Sequence, residues 1–357
     1  MQLTGQRTSD CGACGDDGLN LARYRNAMER IFSGAVPRHL RGGVVALGNF
    51  DGFHRGHQAV VGHALDRARA EGRPALVATF DPHPAALFRP DLPPFALTTT
   101  PQKLDLFEAF GIDAAVVIGF DRALAAHSAE AFVGDQLASQ IGAGVVVSGA
   151  DFTFGVRRSG DTAALARIGA GHGIAADVVA AVGDGGGIVS SSRIRDHLRA
   201  ADPAAAAALL TRPFTIRGVV EHGAKLGRTL GFPTANLALG GYLRPAYGVY
   251  AVRVRLDDGS VIDGVANLGI RPMIEPPLEL LEVNLFDWSG DLYGRTIEVE
   301  LHVFLRPEWK LDGLDALTRQ IAADCVAARA ALASVEPTRS VSLSDGSSVR
   351  AIAGSPS

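Results

Sequence analysis

The chain has 357 residues, of which 47% are hydrophobic and 20% charged, enough for two domains with real cores and too apolar for a disordered protein. Thirty-four basic residues against 38 acidic ones leave a net charge of −4, which offers no electrostatic footprint for nucleic acid or an anionic membrane. No apolar run approaches the roughly 18 residues of a membrane span, the first residues hold no apolar signal core, and a cytoplasmic location is the expectation.

The leader carries two of the three cysteines, Cys11 and Cys14, in CGAC. A lone C-x-x-C without a second pair is a weak zinc signal, and a redox pair belongs beside a βαβ unit rather than in a polar, Gly-rich stretch. Residues 1–25 therefore read as a disordered leader, and the Ser- and Gly-rich 337–357 as a disordered tail. From residue 43 to about 182, VVALGNF, ALVATF, AAVVIGF, GVVVSGA and IAADVVAAV read as strands. Helical stretches alternate with them near 56–71, 101–110, 128–139 and 161–171. Alternation of this kind predicts an α/β domain with a parallel sheet covered on both faces. Residues 193–213 read as two helices broken near Pro203.

After Pro213 the texture changes to strand-like runs parted by Gly, Asp and Pro: FTIRGVVEHG, GVYAVRVRLDDG, VIDGVANLG, LELLEVNLFDW and TIEVELHVFLR. These predict an antiparallel barrel or sandwich, closed by a helix over GLDALTRQIAADCVAARAALAS that contains Cys325. The domains are expected at 40–200 and 205–335.

Three strings carry chemistry. GNFDGFHRGHQAVV, residues 48–61, leads from the first strand through a Gly turn into a helix, placing His54 and His57 at a helix start. Unpaired N–H groups and the positive end of the dipole suit a phosphate there. A metal reading would need a third ligand, with His63 and His83 available; a core reading suits a Gly-rich turn poorly. GDGGGIVSSSRIRDHL, residues 183–198, offers serines suited to an N-cap, then Arg193 and Arg195, as a second anion site or an ordinary capped helix. In HGAKLGRTLGFPTANL, residues 222–237, Gly223, Gly227 and Gly231 allow close approach, while Thr234 and Asn236 present neutral oxygens on one face of an extended segment, as Mg²⁺ accepts. A Gly-rich hairpin ending at an edge strand is the plain alternative.

G-x-F-D-G-x-H-x-G-H followed by S-S-S-x-I-R resembles the nucleotidyltransferase superfamily. ATFDPHP and GADFTFGVRRSGD narrow the resemblance to the FAD synthetase module of prokaryotic bifunctional riboflavin kinase/FAD synthetases. G-x-x-x-G-R-x-L-G-F-P-T-A-N, with GVANLGIRP, LLEVNLFDWSGDLYG and FLRPEWK in order, resembles the riboflavin kinase signature. The resemblance implies a Rossmann-like nucleotidyltransferase domain followed by a six-stranded antiparallel β-barrel kinase domain with a terminal helix. It implies ATP at Gly48, Asn49, Phe50, Asp51, His54, His57, Ser191, Ser192 and Arg195, and flavin at Asp151, Phe152 and Phe154. For the kinase it implies Gly223, Lys225, Gly227, Arg228, Gly231, Pro233 and Asn267 at ATP or flavin, Thr234 and Asn236 at Mg²⁺, and Glu282 as base. His54 and His57 take the catalytic role in adenylyl transfer. Riboflavin, FMN and ATP are the implied partners, with no nucleic acid or membrane, and a homo-oligomer is compatible. Met273 and Asn284 depart from the family's usual Thr and His and read as flavin-pocket or packing variation. The alternatives are a flavin-binding regulator with a weakened kinase, and a nucleotidyltransferase for another phosphate ester.

Overall fold

The computed structural model describes residues 27–32, 34–222, 231–271, 278–310 and 312–336. The leader with Cys11 and Cys14, the tail, and Gly223, Lys225, Gly227, Arg228 and Met273 lie outside them.

The first half is a parallel sheet of β1 (Glu29–Ile31), β2 (Val44–Leu47), β3 (Ala75–Asp81), β4 (Ala114–Gly119), β5 (Val145–Gly149) and β6 (Ala175–Val179), in the order β1-β4-β3-β2-β5-β6. Both faces of the central strands β2–β5 are covered, which is why those four are almost wholly apolar, whereas the edge strands β1 and β6 are partly exposed. Val44 and Ala46 join a core with helix α1 (Arg55–Glu71), whereas Val45 and Leu47 join a second core on the opposite face. Strand order reverses at β2, between β3 and β5, and in such sheets ligands bind beyond the carboxyl ends at that point. The turn carrying His54 lies there.

The five expected strands and most of the helices form where the sequence places them, with α2 (Pro84–Phe88) following β3 and α3 (Thr100–Phe110) before β4. Edge strand β1 was not anticipated; its three residues are too few for a pattern. Within the expected helix at 128–139, a single α turn continues as π-helix over Phe132–Ile141. Past β6, a short hairpin, β7 (Gly183–Asp184) and β8 (Gly187–Ile188), precedes the two helices broken at Pro203. We number them α4 (Ser191–Arg199), capped by Ser190, and α5 (Pro203–Leu210), capped by Asp202.

The second half is a six-stranded antiparallel sheet in the order β10-β13-β12-β11-β14-β9, built from β9 (Phe214–Val219), β10 (Ala235–Ala238), β11 (Gly248–Arg255), β12 (Val261–Arg271), β13 (Leu278–Leu285) and β14 (Thr296–Pro307). A backbone bridge between Glu221, just past β9, and Asn236 on β10 brings the two edges together, so the barrel is nearly closed. The terminal helix, α6 (Gly313–Ala333), lays Ala328 and Leu332 against Val249, Ala251 and Val265 on the outer wall. Arg253 on β11 caps this helix, donating to the carbonyls of Leu332, Val335 and Glu336 at 3.2, 2.9 and 2.9 Å. A guanidinium at a helix carboxyl end satisfies orphan carbonyls and complements the dipole.

The barrel interior is not self-contained. Leu281, Val283, Val252 and Ile216 share one core with Ile194 and Leu198 of α4, Leu209 and Leu210 of α5, and Leu97 from the first half. Polar contacts reinforce this junction: Arg217 on β9 pairs with Asp105 on α3 at 2.7 Å, and the Tyr242 hydroxyl donates to Gln102 at 2.5 Å. Ile194 is fully buried at the junction. Ile194→Ala is expected to cost about 2–5 kcal/mol and to leave the halves unfolding together. Denaturant titration followed by tryptophan fluorescence, which reports only the barrel residues Trp288 and Trp309, and by circular dichroism checks this; two separated transitions would oppose it.

Candidate active sites

The turn after β2 is built from residues in unusual conformations. Phe50, Gly52 and Phe53 have φ of 50, 82 and 42°, a region costly for bulky side chains. Burial offsets that cost, since both phenylalanines are 2% exposed and pack edge-on against Phe107 of α3. Gly52 is required for space as well as for its dihedral: a Cβ would sit 2.8 Å from Leu97 and 3.2 Å from Leu210. The Phe50 side chain therefore packs in the core, beside the ring of His57.

Asp51 is 5% exposed and fully engaged. Its Oδ1 accepts from the amides of Leu97 and Thr98 at 2.9 and 3.1 Å, and its Oδ2 from Arg195 at 2.6 Å. Ser191 donates to the Asp51 carbonyl at 2.9 Å. Arg193 turns away to Asp184 at 2.6 Å. The two arginines thus do not converge on an open anion site as the sequence suggested, because each finds a carboxylate first. Ser192 is exposed at the helix start.

His54 caps α1, and its Nδ1 accepts from the His57 amide at 3.4 Å. That bond leaves the proton of the neutral ring on Nε2, the nitrogen able to donate to a ligand. The two rings stack with centroids 3.6 Å apart, and Phe50 meets His57 edge-on at 5.4 Å. Burial pushes the His54 pKa down to about 4, against a pull from Asp51, and holds that of His57 well below the ordinary range. Both are neutral donors near pH 7. Gly56 lies against this cap, a Cβ there meeting the His54 ring at 3.2 Å. His63 instead pairs with Asp177 at 2.8 Å, and among the described residues no cluster of three His, Cys, Asp or Glu could hold a metal. The metal reading of the histidines is thereby set aside.

Two cations near this turn had no motif to announce them. Lys103 on α3 is 5% exposed and donates to the Asn49 carbonyl, Thr79 Oγ1 and the Phe80 carbonyl at 3.2–3.4 Å. Arg212, after α5, donates to the Gly52 carbonyl at 2.9 Å. Past β5, Asp151 is exposed and Phe152 half-buried, while Phe154 is 7% exposed, packs on Phe132 and is stacked by Phe152. Phe154 is accordingly a buried residue that supports Phe152.

On the barrel, strand register brings the kinase candidates together. Asn236 on β10 lies opposite Glu282 on β13, which lies opposite Asn267 on β12. Directly paired residues of antiparallel strands share a face, here the outer one, since Leu237, Leu281 and Leu268 point inward. Asn236 is buried, and its amide nitrogen approaches the Thr234 carbonyl at 3.5 Å. Asn267 donates to Glu308 at 3.4 Å. Two cavities of about 370 and 310 Å³ lie at the start of β10 and the end of β13, sharing Pro233, Leu285, Trp288 and Ser289. Gly231, Asn284, Phe286, Cys325 and Arg329 line the first; Thr234, Leu292 and Tyr293 line the second. Asn284 donates to the Pro233 carbonyl at 2.8 Å, tying β13 to the segment before β10.

A Rossmann-like parallel sheet with a histidine-capped turn at its switch point, joined to a six-stranded barrel with an Asn-Glu-Asn row on its outer face, is the architecture of a two-domain transferase. Comparison with known proteins gives the particular kind. The FAD synthetase family model matches residues 36–193 and the riboflavin kinase family model residues 210–332. The bifunctional riboflavin kinase/FMN adenylyltransferase of Escherichia coli K12 is 40% identical over 81% of this chain and 92% of its own. Its counterpart in Bacillus subtilis is 37% identical over 79% and 90%. A crystal structure described as a macrolide-efflux protein from Streptococcus pneumoniae superposes with a TM-score of 0.74 at 30% identity, covering 83% of this chain and 97% of that one. The chain belongs to the bifunctional riboflavin kinase/FMN adenylyltransferase family, whose members convert riboflavin to FMN and FMN to FAD at the expense of ATP.

The neutral state of His54 has a consequence for stability. Unfolding releases it to an ordinary pKa near 6.5, so the unfolded chain binds the proton first as pH falls. Its contribution is therefore present above pH 6.5 and lost between about 6.5 and 4. His54→Asn should be less acid-sensitive than the parent across that window, by on the order of 3 kcal/mol. Chemical denaturation at pH 7 and pH 4.5 measures the difference; equal pH slopes would oppose a buried neutral His54.

Proposed function

We propose that FMN adenylylation runs in residues 40–200 at the His54–His57 turn, and riboflavin phosphorylation in residues 205–335 at the Asn236–Glu282–Asn267 row. Mg²⁺ serves both, in the cytoplasm; among the described residues no helix is long and apolar enough to cross a membrane.

In the first reaction the FMN phosphate attacks the α-phosphorus of ATP in line, and the bond to the bridging oxygen breaks as pyrophosphate leaves. Charge grows on the bridging and leaving oxygens, where preorganised donors act most strongly. Neutral imidazoles at an open helix start supply such donors without a proton transfer to the leaving group. The observation that carries this reading is the His54 cap, which fixes the Nε2–H tautomer. Phe152, half-buried beyond β5, offers an aromatic face to the flavin ring.

In the second reaction Glu282 takes the riboflavin 5′-hydroxyl proton as that oxygen attacks the γ-phosphorus and ADP departs. Thr234 and Asn236 supply the hard, neutral oxygens that suit Mg²⁺, which keeps few protein ligands and shares the rest with phosphates. Bound there, the ion would neutralise charge on the transferring phosphoryl group. In this reading ATP takes the cavity that Thr234 lines and riboflavin the one lined by Phe286 and Asn284; the two cavities share Pro233, Leu285, Trp288 and Ser289. Incubation with riboflavin, ATP and Mg²⁺, with FMN and FAD separated over time, tests the whole reading; FMN without FAD would leave only the kinase half standing.

The two halves should separate by mutation. His57→Ala should lower FAD formation from supplied FMN by about 10²–10³ while riboflavin phosphorylation stays near the parental rate. Equal losses in both would refute the assignment. Glu282→Gln keeps shape and removes the proton acceptor, and a loss of about 10²–10⁴ in phosphorylation is expected, nearer the lower end because phosphoryl transfer is loose. Thr234→Ala should raise the Mg²⁺ concentration for half-maximal kinase rate; an unchanged Mg²⁺ titration would remove Thr234 from the cation site.

A further inference from the structure

Three cations surround the stacked histidines, and they differ in what answers them. Arg195 has Asp51. Lys103 and Arg212 donate only to neutral oxygens, and among the described residues no carboxylate lies within ion-pair distance of either. Arg212 also stands in an unexpected place, on the short connection between α5 and the first barrel strand, directly before Pro213 and the core residue Phe214. From there its Nη2 reaches back 160 residues to the Gly52 carbonyl at 2.9 Å, while Nη1 holds the Leu210 carbonyl at 3.1 Å. Gln58 on α1 completes the clasp, its amide donating to the Phe53 carbonyl at 2.9 Å and to Thr211 Oγ1 at 2.8 Å. The carbonyls of the two residues that precede His54 are thus fixed by Arg212 and by a side chain bonded to the same connection.

We propose that Arg212, a residue of the connection into the kinase barrel, is a positioning residue for adenylyl transfer: its guanidinium fixes the Gly52 carbonyl, and so the turn that presents His54 and His57 to the ATP phosphates. The fork shape matters, because two carbonyls on separate elements are held by two nitrogens of one rigid plane. The charge matters too. Asp51 acts on both from a distance, with Asp81 on Lys103 and Glu298 on Arg212, but none forms an ion pair with either, so a bound polyphosphate would meet two cations not directly paired, in a partly desolvated setting where such attraction is strong. Burial lowers the Arg212 pKa to about 10, so the group remains charged at neutral pH. Its field is also one of the influences that keep both histidines neutral.

The inference rests on the assignment of adenylyl transfer to the His54–His57 turn, and the test separates the two. In the full-length protein, with riboflavin phosphorylation and thermal unfolding measured on the same preparations, Arg212→Met removes fork and charge, and Arg212→Lys removes the fork alone. Arg212→Met is expected to lower kcat for FMN adenylylation by about 10–10² through misplacement of the turn and to raise the KM for ATP several-fold. Arg212→Lys should restore the KM while recovering only part of kcat, and phosphorylation should stay within about twofold of the parent in both. Adenylylation within twofold of the parent in Arg212→Met overturns the proposal. So does a matched loss of both activities with a lowered Tm, or a lysine variant no better than the methionine one. A His57→Ala protein with full FAD formation would remove the site assignment and this inference together, whereas a crippled His57→Ala beside a normal Arg212→Met removes this inference alone.

Discussion

The buried carboxylate of Asp51 holds together parts of the chain that are far apart in sequence. One oxygen gathers the amides of Leu97 and Thr98, and the other binds Arg195 on α4. Removing either charged partner from such a pair leaves the other buried and uncompensated, at a cost of about 3–5 kcal/mol. The amide bonds make this pair tolerable, because the lone pairs that Arg195 does not reach are satisfied by backbone. The result is a rigid triangle of turn, loop and helix, with the strained Phe50–Phe53 turn at one corner.

That triangle explains how a costly turn persists. Phenylalanines with left-handed backbone are stable only when their surroundings leave no alternative. Here Phe107 packs against both rings, Leu97 and Leu210 fill the space beside Gly52, and hydrogen bonds hold both flanks. The histidines inherit that rigidity: His54 is fixed by its cap and by the stacked ring of His57 rather than by a charge of its own. The barrel site achieves order by a different route, because strand register aligns Asn236, Glu282 and Asn267. A one-residue slip in β13 would turn Glu282 into the barrel interior.

The division between what could and could not be read in the sequence follows range of interaction. Apolar runs such as VVALGNF and the helix breaker Pro203 are local, and they announced the sheet, the barrel and the break between α4 and α5 correctly. Spacing cannot show whether an aromatic in a motif faces ligand or core, and the burial of Phe50 and Phe154 emerges only from the fold. Lys103 and Arg212 gave no sign at all: an amphipathic helix and a Thr-Arg-Pro connection are unremarkable until the fold brings their charges to one turn. Arg193 and Arg195 were legible as cations, but the carboxylates that claim them lie 9 and 144 residues away. The π-helical stretch at Phe132–Ile141 has no sequence signal that we can identify.

Helix α4 belongs to both halves at once. Ser191 and Arg195 form a stripe that grips Asp51, and Ile194 and Leu198 form an adjacent stripe that seals one end of the barrel. For a lineage that shuffles genes, this constrains where recombination can succeed. A crossover between 189 and 213 joins a helix shaped for one barrel to another barrel, or a guanidinium to a foreign turn, and either junction loses packing that neither parent lacked. Exchange of one activity for a relative's must therefore carry α4, α5 and both of their contact surfaces together, so the two catalytic units are inherited as a single object although their reactions are chemically independent.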